Sequence, residues 1–199
     1  MTLLSIASSY NDSIQELRGF KYRAANLAMA PITSAAAIVD TISGLFCTMG
    51  SAIALGIKDD LNQIAMHQLE SSNKILSGAY LNLLEVINPE SRVVKNNSDP
   101  GLISSIVFPS IVNQAERFAN SLSGVHKHIT SRLTFALLAV SSLITRIADG
   151  VIGIIAATLS LITLGNSRRI NTIAYRSLMA PGIIYDLSYC TLAIINPYF

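Results

Sequence analysis

Few residues in this chain have the types and spacing that chemistry needs. His126 and His128 stand one residue apart, and two imidazoles so placed could offer themselves to a metal ion. No third ligand follows at usable spacing, and Lys127 between them repels a cation, so no metal is expected. His67 falls on the polar side of an amphipathic stretch and reads as solvated. Cys47 and Cys190 both sit in apolar stretches without metal spacing, which makes them buried reduced thiols rather than a disulfide. The sequence has no Gly-x-Ser-x-Gly, no phosphate-cradling glycine loop and no His-Glu-x-x-His. Neither an enzyme nor a cofactor is therefore expected.

The ionisable residues inside apolar surroundings say more. Asp40 is the one charged residue between Ala24 and Ile57, and Asp149 lies in a second apolar run from Leu133 to Leu164. A carboxylate there cannot face lipid without severe cost and must point at a partner. Arg146, three residues before Asp149, shares its helix face and is the obvious candidate. Asp40 has Ala37 at the equivalent place, so its partner comes from elsewhere, Arg146 among the candidates. The favoured role for both aspartates is packing or helix capping at a break. The rival is a proton relay in a small transporter or channel built from two repeats. Arg168, Arg169 and Arg176 could touch acidic headgroups or an acidic partner, or simply charge a helix end.

The elements that carry these residues are written twice. A shift of 109 positions lays Arg23 on Arg132, Asp40 on Asp149, Gly44 on Gly153, Ser51 on Ser160 and Leu55-Gly56 on Leu164-Gly165. The match continues through Asn62/Asn171, Leu69/Leu178 and Tyr80/Tyr189, and after one residue of slippage Ile87-Asn88-Pro89 meets Ile195-Asn196-Pro197. Polar and glycine matches of this kind are not produced by shared apolar composition, and they point to two copies of one unit. Residues 1–91 read as the first copy, 92–105 as a linker built on Asn96-Asn97-Ser98-Asp99-Pro100-Gly101, and 106–199 as the second.

Composition bounds the environment. Only 13% of the 199 residues are charged, about half the roughly 25% usual for soluble domains, and 51% are hydrophobic. With a mean hydropathy of +0.48 the chain has too little charge to cover a water-facing surface, so it hides in lipid or in a partner. A net charge of +2 is too small to imply nucleic acid.

Along the chain, strand-like alternation is nearly absent, and the fold expected is all-α, a pseudo-twofold bundle of two helical copies. Met1 to Asp12 is polar without a basic start and reads as an ordinary ragged terminus, with a type III secretion signal as the alternative. Ile14, Leu17 and Phe20 suggest a short helix, Pro31 a kink or a new start, and Gly56 a stop. Asp60 to Ile87 reads as one amphipathic helix offering a recognition surface, Ile111 to Leu122 as another, and Ile183 to Ile195 as a last apolar segment carrying Asp186.

Each long apolar stretch exceeds thirty residues and would overshoot a bilayer core of about 30 Å. Two geometries fit: a hairpin turning near Asp40 or Asp149-Gly150, or one long or kinked helix packed on protein. Small and polar residues (Thr33, Ala36, Asp40, Gly44, Cys47, Ser51 and Ala54; Thr134, Ser141, Thr145, Asp149, Gly153, Ala156, Ser160 and Thr163) form one stripe of a continuous helix and would let backbones approach closely. Basic residues flank the second stretch at both ends, Lys127 and Arg132 before it and Arg168 and Arg169 after it. For an inserted segment that favours a hairpin with both ends on the cytosolic side, and solvated helix termini explain the same charges.

The run from Asp149-Gly150-Val151-Ile152-Gly153 through Leu164-Gly165, then Arg169-Ile170-Asn171, Ile173-Ala174-Tyr175 and Ile195-Asn196-Pro197, resembles a family of hydrophobic chlamydial proteins of uncharacterised role. Its bilobed apolar segments are similar to those of chlamydial inclusion membrane proteins, although those carry one bilobed domain and this chain two. The resemblance covers mainly residues 132–199 and implies type III secretion, insertion in a vacuole membrane and non-enzymatic contact with host proteins. The expectation is thus a membrane-inserted or membrane-associated interaction protein, with a soluble all-α adaptor or secretion-system component as alternative. Its partners would be a protein and a membrane, with homo-oligomerisation open.

Overall fold

The computed structural model describes residues 2–14, 16–72, 75–91, 93, 101–121, 123–179 and 182–196. Among them are eight helices and no strand: α1 (Leu3–Ile14), α2 (Gly19–Ile53), α3 (Asp59–Ser72), α4 (Ile75–Ile87), α5 (Ser104–Asn120), α6 (Gly124–Ile162), α7 (Arg168–Ser177) and α8 (Ile183–Ile195). Two are long and apolar. α2 has 35 residues and α6 has 39, lengths of about 52 and 58 Å at 1.5 Å per residue. Shorter helices pack against each: α1, α3 and α4 on α2, and α5, α7 and α8 on α6.

Several expectations change. The N-terminal residues form helix α1 and not a ragged tail, because the Asp40 carboxylate accepts the backbone N–H of Leu3 at 3.0 Å. The short helix expected over Ile14, Leu17 and Phe20 is divided instead: Ile14 ends α1, Leu17 lies in the junction, and Phe20, 85% exposed, falls in the first turn of α2. Pro31 does not break α2. Its ring removes one helical hydrogen bond, while Thr33 Oγ1 and Ser34 Oγ bind the Ala30 carbonyl at 3.1 and 2.8 Å, and packing on both sides of the proline holds the helix continuous.

Neither long stretch is a hairpin. α2 runs straight through Asp40 and α6 through Asp149-Gly150, because both aspartates are turned inward and supplied with donors, so nothing there obliges the chain to reverse. The helix expected from Asp60 to Ile87 is two helices, α3 and α4. Half of that surface is spent on packing, with Ala65, Leu69 and Leu84 fully buried. In the expected linker, residues 94–100 lie outside the described residues, as does Pro197, and α5 already begins at Ser104.

The turns after the long helices show how sequence sets geometry. Leu55 and Leu164 adopt φ of 54° and 51°, followed by Gly56 and Gly165 at 66° and 70°. Gly56 N–H reaches the Ser51 carbonyl at 2.8 Å, and Gly165 N–H the Ser160 carbonyl at 2.8 Å, the six-to-one bond of a Schellman cap. A leucine in the left-handed region costs roughly 1–2 kcal/mol, so each turn is held by its surroundings. Those surroundings are an asparagine on the next helix. Asn62 Nδ2 donates to Gly56 O at 3.0 Å and Asn171 Nδ2 to Gly165 O at 2.8 Å. The asparagine carbonyl oxygens accept from the Ser51 and Ser160 hydroxyls respectively.

Contacts between the first four helices and the last four are reciprocal. Asn88, just after α4, donates to Leu164 O at 3.0 Å and to Asn166 Oδ1 at 3.3 Å. Asn196, just after α8, donates to Gly56 O at 3.2 Å. The end of α4 also meets the start of α2, where Tyr22 Oη donates to Glu85 at 2.7 Å. The start of α2 and the end of α6 therefore meet at the same end of the bundle, and the two long helices run antiparallel.

Candidate functional site

The distinctive part of the molecule is its interior, which is polar behind apolar walls. Among the described residues the buried set contains more polar and charged side chains than hydrophobic ones, and its hydrophobic members are largely alanine and leucine. The expected stripe supplies much of it: Thr33, Asp40, Gly44 and Ser51 are buried on α2, and Asp149, Gly153, Ala156 and Ser160 on α6.

Asp149 is wholly buried and caps another helix. Its Oδ1 accepts Leu102 N–H at 2.9 Å and Ile103 N–H at 2.8 Å, and its Oδ2 accepts Ser104 N–H at 3.0 Å and Ser104 Oγ at 2.6 Å. The Ile103 and Ser104 amides are among the donors that the start of α5 cannot satisfy internally, Leu102 lies just before it, and a negative charge there also meets the positive end of the helix dipole. Asp40 stands in the same relation to α1, accepting Leu3 N–H and, at 3.2 Å, Ser71 Oγ from α3. Both carboxylates thus act as remote N-caps.

Arg146 pairs with neither. Its Nε lies 2.8 Å from Asp186 Oδ2 and its Nη2 3.2 Å from Asp186 Oδ1, with the two side chains 5% and 2% exposed. Ser142 Oγ donates to the same Asp186 carboxylate. The expected Arg146–Asp149 and Arg146–Asp40 pairs are corrected on simple grounds: the guanidinium is directed at α8, while the aspartate oxygens are occupied by helix amides. Sequence reading noticed Asp186 only as a charge in an apolar segment. A signal was present, since a shift of 109 lays Arg146 on Ala37 and Asp186 on Ser77; both members of the pair depart from the self-alignment together.

Gly44 and Gly153 are close-approach points. A Cβ on Gly153 would meet the backbone of Ser177 and Leu178 at 2.9 Å, and one on Gly44 would meet the Leu69 side chain at 2.7 Å. Arg176 is half-buried; its Nη2 lies 3.4 Å from Gly101 O and 3.3 Å from Ser105 Oγ, so it braces the start of α5 instead of projecting outward. Arg168 and Arg169 are exposed on the first turn of α7, behind the Ser167 cap. A buried polar chain joins the two sets of helices: Tyr80 Oη donates to Ser160 Oγ at 2.8 Å, and Ser160 passes on to Asn171 at 2.6 Å.

Among the described residues, no group of three His, Cys, Asp or Glu is placed to hold a metal. Cys47 and Cys190 are free thiols. Burial, with the Asp186 charge second, pushes the Cys190 thiol up to about 12.

Outward, the polarity reverses. Every exposed side chain of α2 from residue 24 to residue 53 is apolar, among them Leu27, Ile38, Ile42, Phe46 and Met49. On α6 from 133 to 162 the single exposed exception is Thr158, whose hydroxyl is returned to Ile154 O at 2.9 Å. Both helices are long and apolar enough to cross a membrane, and only 28% of the most apolar window in each is buried. The core helix of a soluble protein passes the same length test but is mostly buried. By comparison with known proteins, no protein family, no curated protein and no solved structure matches the chain.

Proposed function

We propose that the protein is a non-enzymatic, membrane-associated helical protein whose two long helices offer their outer faces to lipid. The observation that carries this reading is the inverted polarity of α2 and α6, with hydrogen-bonded Asp, Asn, Ser and Thr inside and, over residues 24–53 and 133–162, an exposed face that is apolar but for Thr158. In water that surface would be a large exposed apolar patch of the kind that marks a membrane or protein contact. Against lipid it costs nothing, and the polar interior binds the helices together as intramembrane polar groups do.

We further read the chain as two copies of one helical unit about a pseudo-twofold axis. Matching Schellman turns, matching Ser–Asn–Gly hydrogen bonds and matching aspartate caps support it. On this reading the Asp40 and Asp149 carboxylates are structural caps, which argues against their serving as the proton relay of the transporter alternative. The resemblance to inclusion membrane proteins extends the proposal to a secreted protein of an intracellular bacterium that contacts host proteins at a vacuole membrane.

Flotation of the full chain with phospholipid vesicles tests the core of the proposal. Co-flotation, with detergent needed to keep the free protein monodisperse, is the expected result. A chain that purifies from buffer alone as a monodisperse species and stays out of the vesicle fraction would overturn it in favour of a soluble adaptor.

A further inference from the structure

We infer that α6 lies along one leaflet of an anionic phospholipid bilayer and does not cross it, which rests on the membrane reading and adds both the geometry and the lipid. Three observations converge. The first is length. The outer face of α6 is apolar from Leu133 through Leu137, Ile144, Val151 and Ile154 to Ile162, interrupted by Thr158 alone. That stretch rises about 45 Å along the helix. Fitting it within a hydrocarbon core of about 30 Å would require a tilt of about 48°, beyond the roughly 0–40° seen for spanning helices.

The second is the depth of charge. Exposed Glu70 on α3 acts electrostatically on Tyr185 of α8, whose neighbour Asp186 grips Arg146 near the middle of α6. A crossing α6 would carry Glu70 to the centre of the bilayer, where an exposed carboxylate is strongly disfavoured. With α6 in the plane of the surface, Glu70 can remain in water.

The third is charge complementarity. The outer strip is bracketed by Lys127 and Arg132 at one end and by exposed Arg168 and Arg169 just past the other. The single acidic residue on α6, Asp149, is buried and capped, and the turn from 163 to 167 carries no charge. Basic residues at both ends of an apolar face match anionic headgroups along the whole length of an interfacial helix. The same flanks, on a continuous helix, cannot be explained by a hairpin returning both ends to one side.

The test uses the full chain with Cys47→Ala, Cys190 being fully buried, and one environment-sensitive label at a time through Val125→Cys, Ile144→Cys or Ile162→Cys. On vesicles of phosphatidylcholine with phosphatidylserine, lipid-borne quenchers should place all three labels at one shallow depth. Arg168→Gln with Arg169→Gln, and separately Lys127→Gln with Arg132→Gln, should each weaken binding by about fivefold per charge removed, with the helical content unchanged. A label at 144 deep in the hydrocarbon with those at 125 and 162 outside it would overturn the in-plane geometry. Equal binding to phosphatidylcholine alone would overturn the anionic preference. Binding to neither vesicle would instead remove the membrane reading on which both depend.

Discussion

Replacing Asp149 with alanine should be among the most damaging single changes in the protein. The carboxylate accepts four hydrogen bonds, three from backbone amides that open α5 and one from the Ser104 hydroxyl. Hydrogen bonds to a charged group contribute roughly 1.5–3 kcal/mol each, so a simple sum over the four runs from about 6 to about 12 kcal/mol and overstates the loss. The segment before α5 can turn toward water once released, and ordinary N-cap deletions cost about 0.5–2 kcal/mol. Between these bounds we expect a loss of about 3 kcal/mol. In a chain of 199 residues each kcal/mol moves Tm by about 2–4 °C, which predicts a fall of about 6–12 °C. Asp149→Asn should fall between, because one oxygen still serves Leu102 and Ile103 while the new NH2 group opposes Ser104 N–H. Thermal melts under conditions that keep the parent folded would measure the loss, and hydrogen exchange should accelerate at 102–104 before it does in α7. A variant within about 1 kcal/mol of the parent, with those amides still protected, would refute the capping role.

Arg146→Ala strands Asp186 in the interior and should cost about 3–5 kcal/mol, whereas Arg146→Ala with Asp186→Ser, the two residue types that stand at positions 37 and 77 under the shift of 109, should recover most of it; chemical denaturation of the two variants decides. Gly153→Ala drives a methyl into backbone and should destabilise more than Gly44→Ala, which displaces a leucine side chain, while Gly50→Ala, with open space around it, should gain up to about 1 kcal/mol. Leucine at position 153 should be worse than alanine at any outward leucine of α6, and equal melting temperatures would contradict the close-approach assignment. Because the Cys190 thiol ionises only near 12, the folded protein at pH 8 should be alkylated at Cys47 first, with Cys190 following only as pH climbs toward that value or the chain unfolds; equal rates at pH 8 would show an open interior.

Much of this was legible in residue order. The all-α class, the two long apolar elements and the inward stripe through Asp40, Gly44, Asp149 and Gly153 followed from helical spacing. The stop at Gly56 followed from glycine. Partners did not. Asp149 and Arg146 lie on one helix face three residues apart, and spacing alone pairs them, yet the choice is made by donors that arrive from α5 and α8. Amides at a helix start are invisible in sequence because every residue carries one. Continuity through Pro31 was equally hidden, since it depends on tertiary packing. The N-terminal helix was missed for a related reason: residues 3–14 form a weak helix alone, and its anchor is an aspartate 37 residues away.

The exchanged asparagines have a consequence for what can exist on its own. Asn88 completes the turn at 164–166, and Asn196 completes the turn at 54–56. A fragment ending near residue 91 would have an idle amide at its tail and an incompletely clasped loop in its middle. Two such fragments, facing each other head to tail, could each lend what the other lacks. Severing the chain between its front and rear portions should therefore leave them clasped through these exchanged bonds.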